Sequence, residues 1–351
     1  MSQTKAKKTC DINKECKDES KELHSAPKTM TFLKTLLYST SFNLTYVVII
    51  ATNLCLIAGL WYYPFQTGIY ILLPYLSYTR IFSAHDTTGE GSRWRYFTRK
   101  FFLLQFMRDH LQLSFGPLPK NLIKAEQTPN AQFLIAVFPH GVASDYRVAM
   151  DGILHTVLPN ICEKIRVLAA SVLFVIPVVR EMALWSGCIN ATRSVAEKAI
   201  KKGYSILVLP GGEAEQIRTI HSKERVYLRK RKGFIKLALR HDIPVVPSYV
   251  FGASDYYYTR NHLFGPRVWL QKKLGICIPL ASGYFGSIFC PFPVKTTVVF
   301  GDPLKFEIKV KGSPTAEELE KAHDEFCLAL QQLFDAHKKK LGYGDRELEM
   351  L

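Results

Sequence analysis

From Phe42 to Leu60 the chain runs for 19 residues without a charged side chain. A helix needs about 20 apolar residues to cross the hydrocarbon of a bilayer, so this run is nearly one span long. A second uncharged stretch begins at Gly68 and ends at Arg80, which is too short to cross. Pro64 and Pro74 interrupt the pattern, and a proline removes a helical hydrogen bond. The expectation over residues 32–82 is a transmembrane or re-entrant helical hairpin rather than two full spans; two buried helices of a soluble protein are the competing reading. Lys28 and Lys34 precede the hairpin, and Arg80, Arg93, Arg95, Arg99 and Lys100 follow it. Cations on both flanks put both termini in the cytosol by the positive-inside rule.

The whole chain carries 46 Lys and Arg against 30 Asp and Glu, a net charge of +16, so its expected partners are anionic. Nucleic acid, anionic lipid and a phosphate-bearing co-substrate all satisfy charge alone. Nucleic acid falls away because no recognition motif accompanies the basic run and a membrane anchor opposes it. Residues 1–31 mix lysines with Asp11, Glu15, Asp18, Glu19 and Glu22 and hold few bulky apolar residues. They are expected to form a disordered polar tail, not a cleavable signal peptide. The eight cysteines show no CxxC pair and no zinc-ligand spacing, so the expectation is no metal and a reducing, cytosol-facing compartment.

Residues 83–130 read as an amphipathic interfacial segment. Trp94, Phe97, Phe101 and Leu104 recur at helical spacing between Arg95, Arg99 and Arg108, which predicts one helix over Arg93 to Leu113 suited to a headgroup layer or to a core surface. From residue 131 to 351 strand-like runs (Phe133 to Phe138, Arg166 to Ile176, Ser205 to Leu209, Val245 to Phe251, Thr296 to Phe300) alternate with helical ones (Ala191 to Lys202, Gly233 to Arg240, Thr315 to Leu341). Alternation of this kind predicts an α/β domain with a mainly parallel sheet flanked by helices. Gly265 to Pro293, rich in aromatics and glycine, is expected to line a chain tunnel or to contact the membrane.

Three segments carry candidate chemistry. Phe133 to Phe138 leads into Pro139-His140-Gly141-Val142-Ala143-Ser144-Asp145, and the carboxyl end of a buried strand is where α/β folds place reactive groups. His140 could take a proton from an attacking alcohol. Asp145, five residues on, could orient it, although a regular helix would set the two about 140° apart. In Leu209-Pro210-Gly211-Gly212-Glu213-Ala214-Glu215, Gly211 and Gly212 allow backbone amides to approach an oxyanion, and Glu213 or Glu215 could fix a polar substrate; an ordinary strand-to-helix turn explains the segment equally well. The run Arg229-Lys230-Arg231-Lys232 before Gly233 sets four cations at a helix start, a place for phosphates or simply a solvated face.

Together these segments resemble the type-2 diacylglycerol acyltransferase family, over roughly residues 93–343. The most specific stretch is Arg231-Lys232-Gly233-Phe234-Ile235-Lys236-Leu237-Ala238-Leu239-Arg240-His241, continuing through Val245-Val246-Pro247 to Phe251-Gly252. Pro139-His140-Gly141, Val179-Arg180-Glu181, Gly211-Gly212 with Glu215, and Thr296-Thr297-Val298-Val299 support it. The resemblance implies a glycerolipid acyltransferase-like fold and transfer of a fatty acyl group from acyl-CoA to diacylglycerol, giving triacylglycerol. It implies an endoplasmic reticulum membrane or lipid-droplet setting, with acyl-CoA as co-substrate, no tightly bound cofactor, and membrane lipids as partners. A homo-oligomer stays open. By position it marks His140 as catalytic, with Glu215 and Arg193 as site residues, and Asp145 stays a catalytic candidate from its spacing to His140. Gly141, Gly211 and Gly212 become oxyanion candidates, and Arg193, Arg229, Lys230, Arg231 and Lys232 acyl-CoA contacts. Many relatives carry His-Pro-His-Gly, whereas Phe138 stands first here. His140 with Asp145 also matches the His-x-x-x-x-Asp of glycerol-phosphate acyltransferases. The alternatives are another acceptor (monoacylglycerol, fatty alcohol or lysophospholipid) and a non-catalytic lipid-droplet or membrane-binding protein.

Overall fold

The computed structural model describes residues 31–274 and 277–351; the tail expected at residues 1–31 lies outside them except for Thr31. Eleven strands occur among these residues: β1 Ser114–Phe115, β2 Leu134–Phe138, β3 Ile165–Ala169, β4 Cys188–Asn190, β5 Ser205–Val208, β6 Arg225–Val226, β7 Val245–Phe251, β8 Tyr258–Thr259, β9 Ala281–Ser282, β10 Thr297–Phe300 and β11 Glu349–Met350. Seven build the central sheet in the order β1-β10-β7-β2-β5-β3-β4. From β7 through β4 every pairing is parallel, and β10 runs antiparallel to β7. This is the mainly parallel α/β sheet that the alternation predicts.

The apolar strands do not alternate with polar residues because both faces of the sheet are covered. Ile135 and Val137 of β2 point into one core with Tyr146 and Leu154. Leu134, Ala136 and Phe138 point into the other, with Val195, Phe234 and Phe326. The first face carries the helices Asp145–Asp151 and Val179–Trp185; the second carries Arg193–Lys201, Gly233–His241 and Ala316–Lys338. The last helix starts where its sequence signals place it: Thr315 accepts a hydrogen bond from the Glu318 amide in a capping box.

Two expectations need correction. Arg93 to Leu113 is not one helix but two, Arg95–Lys100 and Phe102–His110, broken at Phe101 (ψ 122°). The Arg108 guanidinium donates to the carbonyls of Thr98 at 3.0 Å and Arg99 at 2.8 Å, satisfying the orphan acceptors where the first helix stops. Likewise β3 ends at Ala169 and a 3-10 turn, Ser171–Phe174, replaces the rest of the expected strand.

Phe32–Tyr62 is one helix of 31 residues, long and apolar enough to cross a membrane. Pro64 opens a new helical stretch that returns to Phe82. One face of the long helix is not free. Tyr38 and Phe42 are buried in the core of the α/β body, and the Tyr46 ring stacks on Phe289 at 4.4 Å. Asn53 Nδ2 donates to the Pro177 carbonyl at 3.4 Å. On the returning arm, Tyr75 Oη donates to Glu181 at 3.3 Å, and the Arg180 guanidinium donates to the Ser83 carbonyl and pairs with Asp86 at 3.1 Å.

Candidate active site

β2 delivers the chain through a cis Phe138–Pro139 peptide to His140, and Gly141 follows in the left-handed region (φ 69°). That backbone strongly favours glycine. Tyr146 Oη donates to the Pro139 carbonyl at 2.7 Å, and the His140 amide donates to Glu215. Glu215 sits in the short helix Gly212–Gln216 directly after β5. Its other oxygen accepts the Tyr227 amide at 2.7 Å. One buried carboxyl therefore ties the His140 turn to the segment that leads into the cation run. Burial pushes this carboxyl up to about 7, against the pull of the Tyr227, His140 and Gly141 amides.

His140 Nδ1 lies 3.2 Å from the Gly141 carbonyl. A carbonyl only accepts, so Nδ1 carries the proton and Nε2 keeps its lone pair. Burial lowers the imidazole below its ordinary value, so the ring is neutral at neutral pH. Asp145 does not meet it, and no hydrogen bond joins the two among the described residues. As the first residue of the helix Asp145–Asp151, Asp145 turns instead toward Tyr257, whose Oη donates to it at 2.9 Å. Burial pushes this carboxyl up to about 7, and the tyrosine supplies the partner a buried acid requires.

His140 opens on a cavity of about 1160 Å³ at the carboxyl ends of β2, β5, β3 and β4. Arg193, Lys230, Arg231 and Lys232 share its wall. Arg229 does not: its Nε donates to the Met350 carbonyl at 2.9 Å, and its amide donates to the Leu351 carbonyl. β11 pairs with β6 and brings the Met350 carbonyl to that side chain. Two cations outside the expected set take its place, Lys236 and Arg240. With Lys232, the residue just before Gly233–His241, they recur every four residues, a signal present in the sequence. Some of this charge is already matched, by Glu320 at Lys232 and by Glu197 at Arg193 (2.8 Å) and Arg240 (3.7 Å).

Of the three glycines, Gly212 lines the cavity, though its amide also donates to the Leu209 carbonyl at 3.2 Å. Gly211 cannot be larger, because an added Cβ would lie 2.1 Å from a Glu215 oxygen. The Gly141 amide faces the Glu215 carboxyl, not the cavity. No group of three His, Cys, Asp or Glu suited to a metal occurs among the described residues. The arrangement suits proton abstraction by Nε2 beside a bound anion.

A family model described as "Diacylglycerol acyltransferase" matches residues 61–350. The chain is 32% identical to "Diacylglycerol O-acyltransferase 2" of Dictyostelium discoideum, over 83% of this chain and 87% of that one. It is 28% identical to "2-acylglycerol O-acyltransferase 3" of Homo sapiens, over 73% and 77% respectively. A match of 34% identity to "Diacylglycerol O-acyltransferase 1" of Eremothecium gossypii spans 51% of this chain and 41% of that relative.

Proposed function

The chain belongs to the diacylglycerol acyltransferase family, and on that premise we propose that it transfers a fatty acyl group from acyl-CoA to the free hydroxyl of diacylglycerol, with His140 as general base. The observation that carries the assignment of roles is the shared cavity: a neutral imidazole and a cluster of cations open on one space of about 1160 Å³.

In this reading Arg193, Lys230, Arg231, Lys232, Lys236 and Arg240 hold the phosphates of CoA. Nε2 of His140 takes the hydroxyl proton as the acceptor oxygen attacks the thioester carbonyl carbon. The tetrahedral intermediate collapses with cleavage of the carbon–sulfur bond, and the imidazolium returns the proton to the CoA sulfur. The Gly211–Gly212 turn, of which Gly212 lines the cavity, serves the oxyanion. Glu215 acts through other groups: it positions the His140 turn and the approach to the cation run together. Asp145 has a supporting part through Tyr257.

We place the protein at the endoplasmic reticulum membrane and lipid droplets, with residues 32–82 as its membrane hairpin and both termini cytosolic. Residues 83–130 then form the interfacial segment and 131–351 the acyltransferase domain.

The test uses membrane preparations given labelled acyl-CoA and diacylglycerol. His140→Ala is expected to lower triacylglycerol synthesis by at least about 100-fold, the usual scale for losing a general base. Undiminished synthesis at equal protein level overturns the role of His140. Similarity to a 2-acylglycerol acyltransferase makes monoacylglycerol the second acceptor to assay, and the ratio of the two rates decides between them.

A further inference from the structure

The His140 cavity wraps around the carboxyl edge of the sheet and differs in character on its two sides. On the face covered by Arg193–Lys201 and Gly233–His241 its wall carries the cations, interspersed with apolar side chains such as Phe234 and Leu237. On the opposite face its wall is Val167 and Ala169 of β3, Val172 and Leu173 of the 3-10 turn, Ala183 of the helix Val179–Trp185, and Cys188 of β4. Val167 and Cys188 are direct partners in the β3–β4 ladder, so their side chains stand together on that face. Cys188 is 2% exposed and Ala183 9%. Both are small, which is what keeps space open between the sheet and the helix above it.

A cationic wall and an apolar wall on one cavity fit a ligand with an anionic head and a long apolar tail. Among the described residues lining the apolar side the charged group is Arg147, and it is already compensated. Its guanidinium pairs with Asp151 at 3.0 Å and donates to the Ser186 carbonyl and hydroxyl at 3.2 Å. An alkyl chain can therefore lie against this wall without stripping an unpaired charge of water. β2, which carries His140, is three strand positions from β4. At about 4.8 Å per strand the arm extends roughly 14 Å sideways from the reacting centre.

We propose that the fatty acyl chain of the thioester lies in this arm, beneath Val179–Trp185, and that Ala183 and Cys188 at its far end limit the chain length accepted. The inference rests on the acyl-CoA reading above and adds the location of the chain. It also moves that location away from residues 265–293, from which, among the described residues, Gln271 and Cys277 line the cavity.

Two measurements test it. Palmitoyl-CoA bearing a diazirine at the chain terminus is photolysed with the full-length protein, and the labelled peptides are mapped. Label is expected within residues 167–173 and 183–188, and label confined to 265–293 overturns the proposal. Ala183→Phe is then assayed with octanoyl-, lauroyl-, palmitoyl- and oleoyl-CoA. The palmitoyl-to-octanoyl rate ratio is expected to fall at least about tenfold, since a few methylenes in an apolar pocket decide that much. A ratio equal to that of the parent in folded protein overturns the proposal. Photolabelling needs neither turnover nor a tolerated substitution. If no acceptor is acylated yet the arm is labelled, the function reading fails and the chain site stands.

Discussion

At the scale of single residues the site depends on buried acids whose partners are backbone amides and a tyrosine. Glu215 accepts the amides of His140 and Tyr227, and Asp145 accepts Tyr257 Oη. Neither carboxyl accepts a hydrogen bond from the imidazole, so its basicity is set by burial, which lowers it, and by the Nδ1 contact with Gly141, which raises it. For Asp145 the carboxyl stands near 7 in the fold against an ordinary 3.8. A raised acid is protonated in the fold and ionises first in the unfolded chain, so its contribution to stability is complete below 3.8 and is lost as pH rises toward about 7. Asp145→Asn removes this titration while leaving an oxygen for Tyr257. The difference in unfolding free energy between pH 4 and pH 8 is expected to shrink by about 2–4 kcal/mol, read from denaturant titrations at each pH. An unchanged difference would show that Asp145 is ionised in the fold.

At the scale of elements the cation helix Gly233–His241 is the part whose sequence pattern and structure agree best, with one difference at its entrance. Four consecutive basic residues looked equivalent in the sequence, but β11 pairing with β6 takes Arg229 out of the cavity. The spacing of Lys232, Lys236 and Arg240 brings in two cations instead. Lys236→Ala and Arg240→Ala are each expected to raise the KM for acyl-CoA roughly threefold to tenfold with little change in kcat, the loss of about 1 kcal/mol of charge contact. Arg229→Ala is expected to leave that KM where it was. Kinetics at varied acyl-CoA and fixed acceptor decide it, and an Arg229 effect as large as that of Lys236 would contradict the placement.

At the scale of the whole molecule the hairpin and the α/β body cannot be treated as separate parts. The body grips the rising arm as far as Asn53 and the returning arm from Tyr75 onward, which leaves residues 54–74 projecting. The rising arm contributes Leu54 to Tyr62, about 14 Å of helix at 1.5 Å per residue, against roughly 30 Å of hydrocarbon. The tip is also closed tightly, since a Cβ on Gly59 would lie 2.9 Å from Thr67 Oγ1. The expected topology is thus re-entrant, with the tip inside the bilayer. A glycosylation acceptor inserted at residues 64–66 should stay unmodified in microsomes, while the protein resists carbonate extraction. Glycosylation of the tip would mean that the hairpin crosses. The body itself exposes the large apolar side chains of Val175, Trp269, Phe285 and Ile288.

Local chemistry made much of this legible from the sequence alone. Charge-free runs with prolines mark a long apolar helix and its break, continuous Val/Ile/Leu strands mark a sheet covered on both faces, and a histidine after such a strand marks the sheet edge on which the cavity opens. These follow from hydrophobic period and backbone constraint, which act over a few residues. The sequence did not show that Glu215 reaches back to the His140 amide, or that Asp145 turns to a tyrosine 112 residues away. Nor did it show that Arg229 is bound by the last strand, or that β3, β4 and Val179–Trp185 enclose an apolar arm. Each depends on which strands become neighbours, and strand order is set by the packing of the whole core rather than by any short stretch of chain.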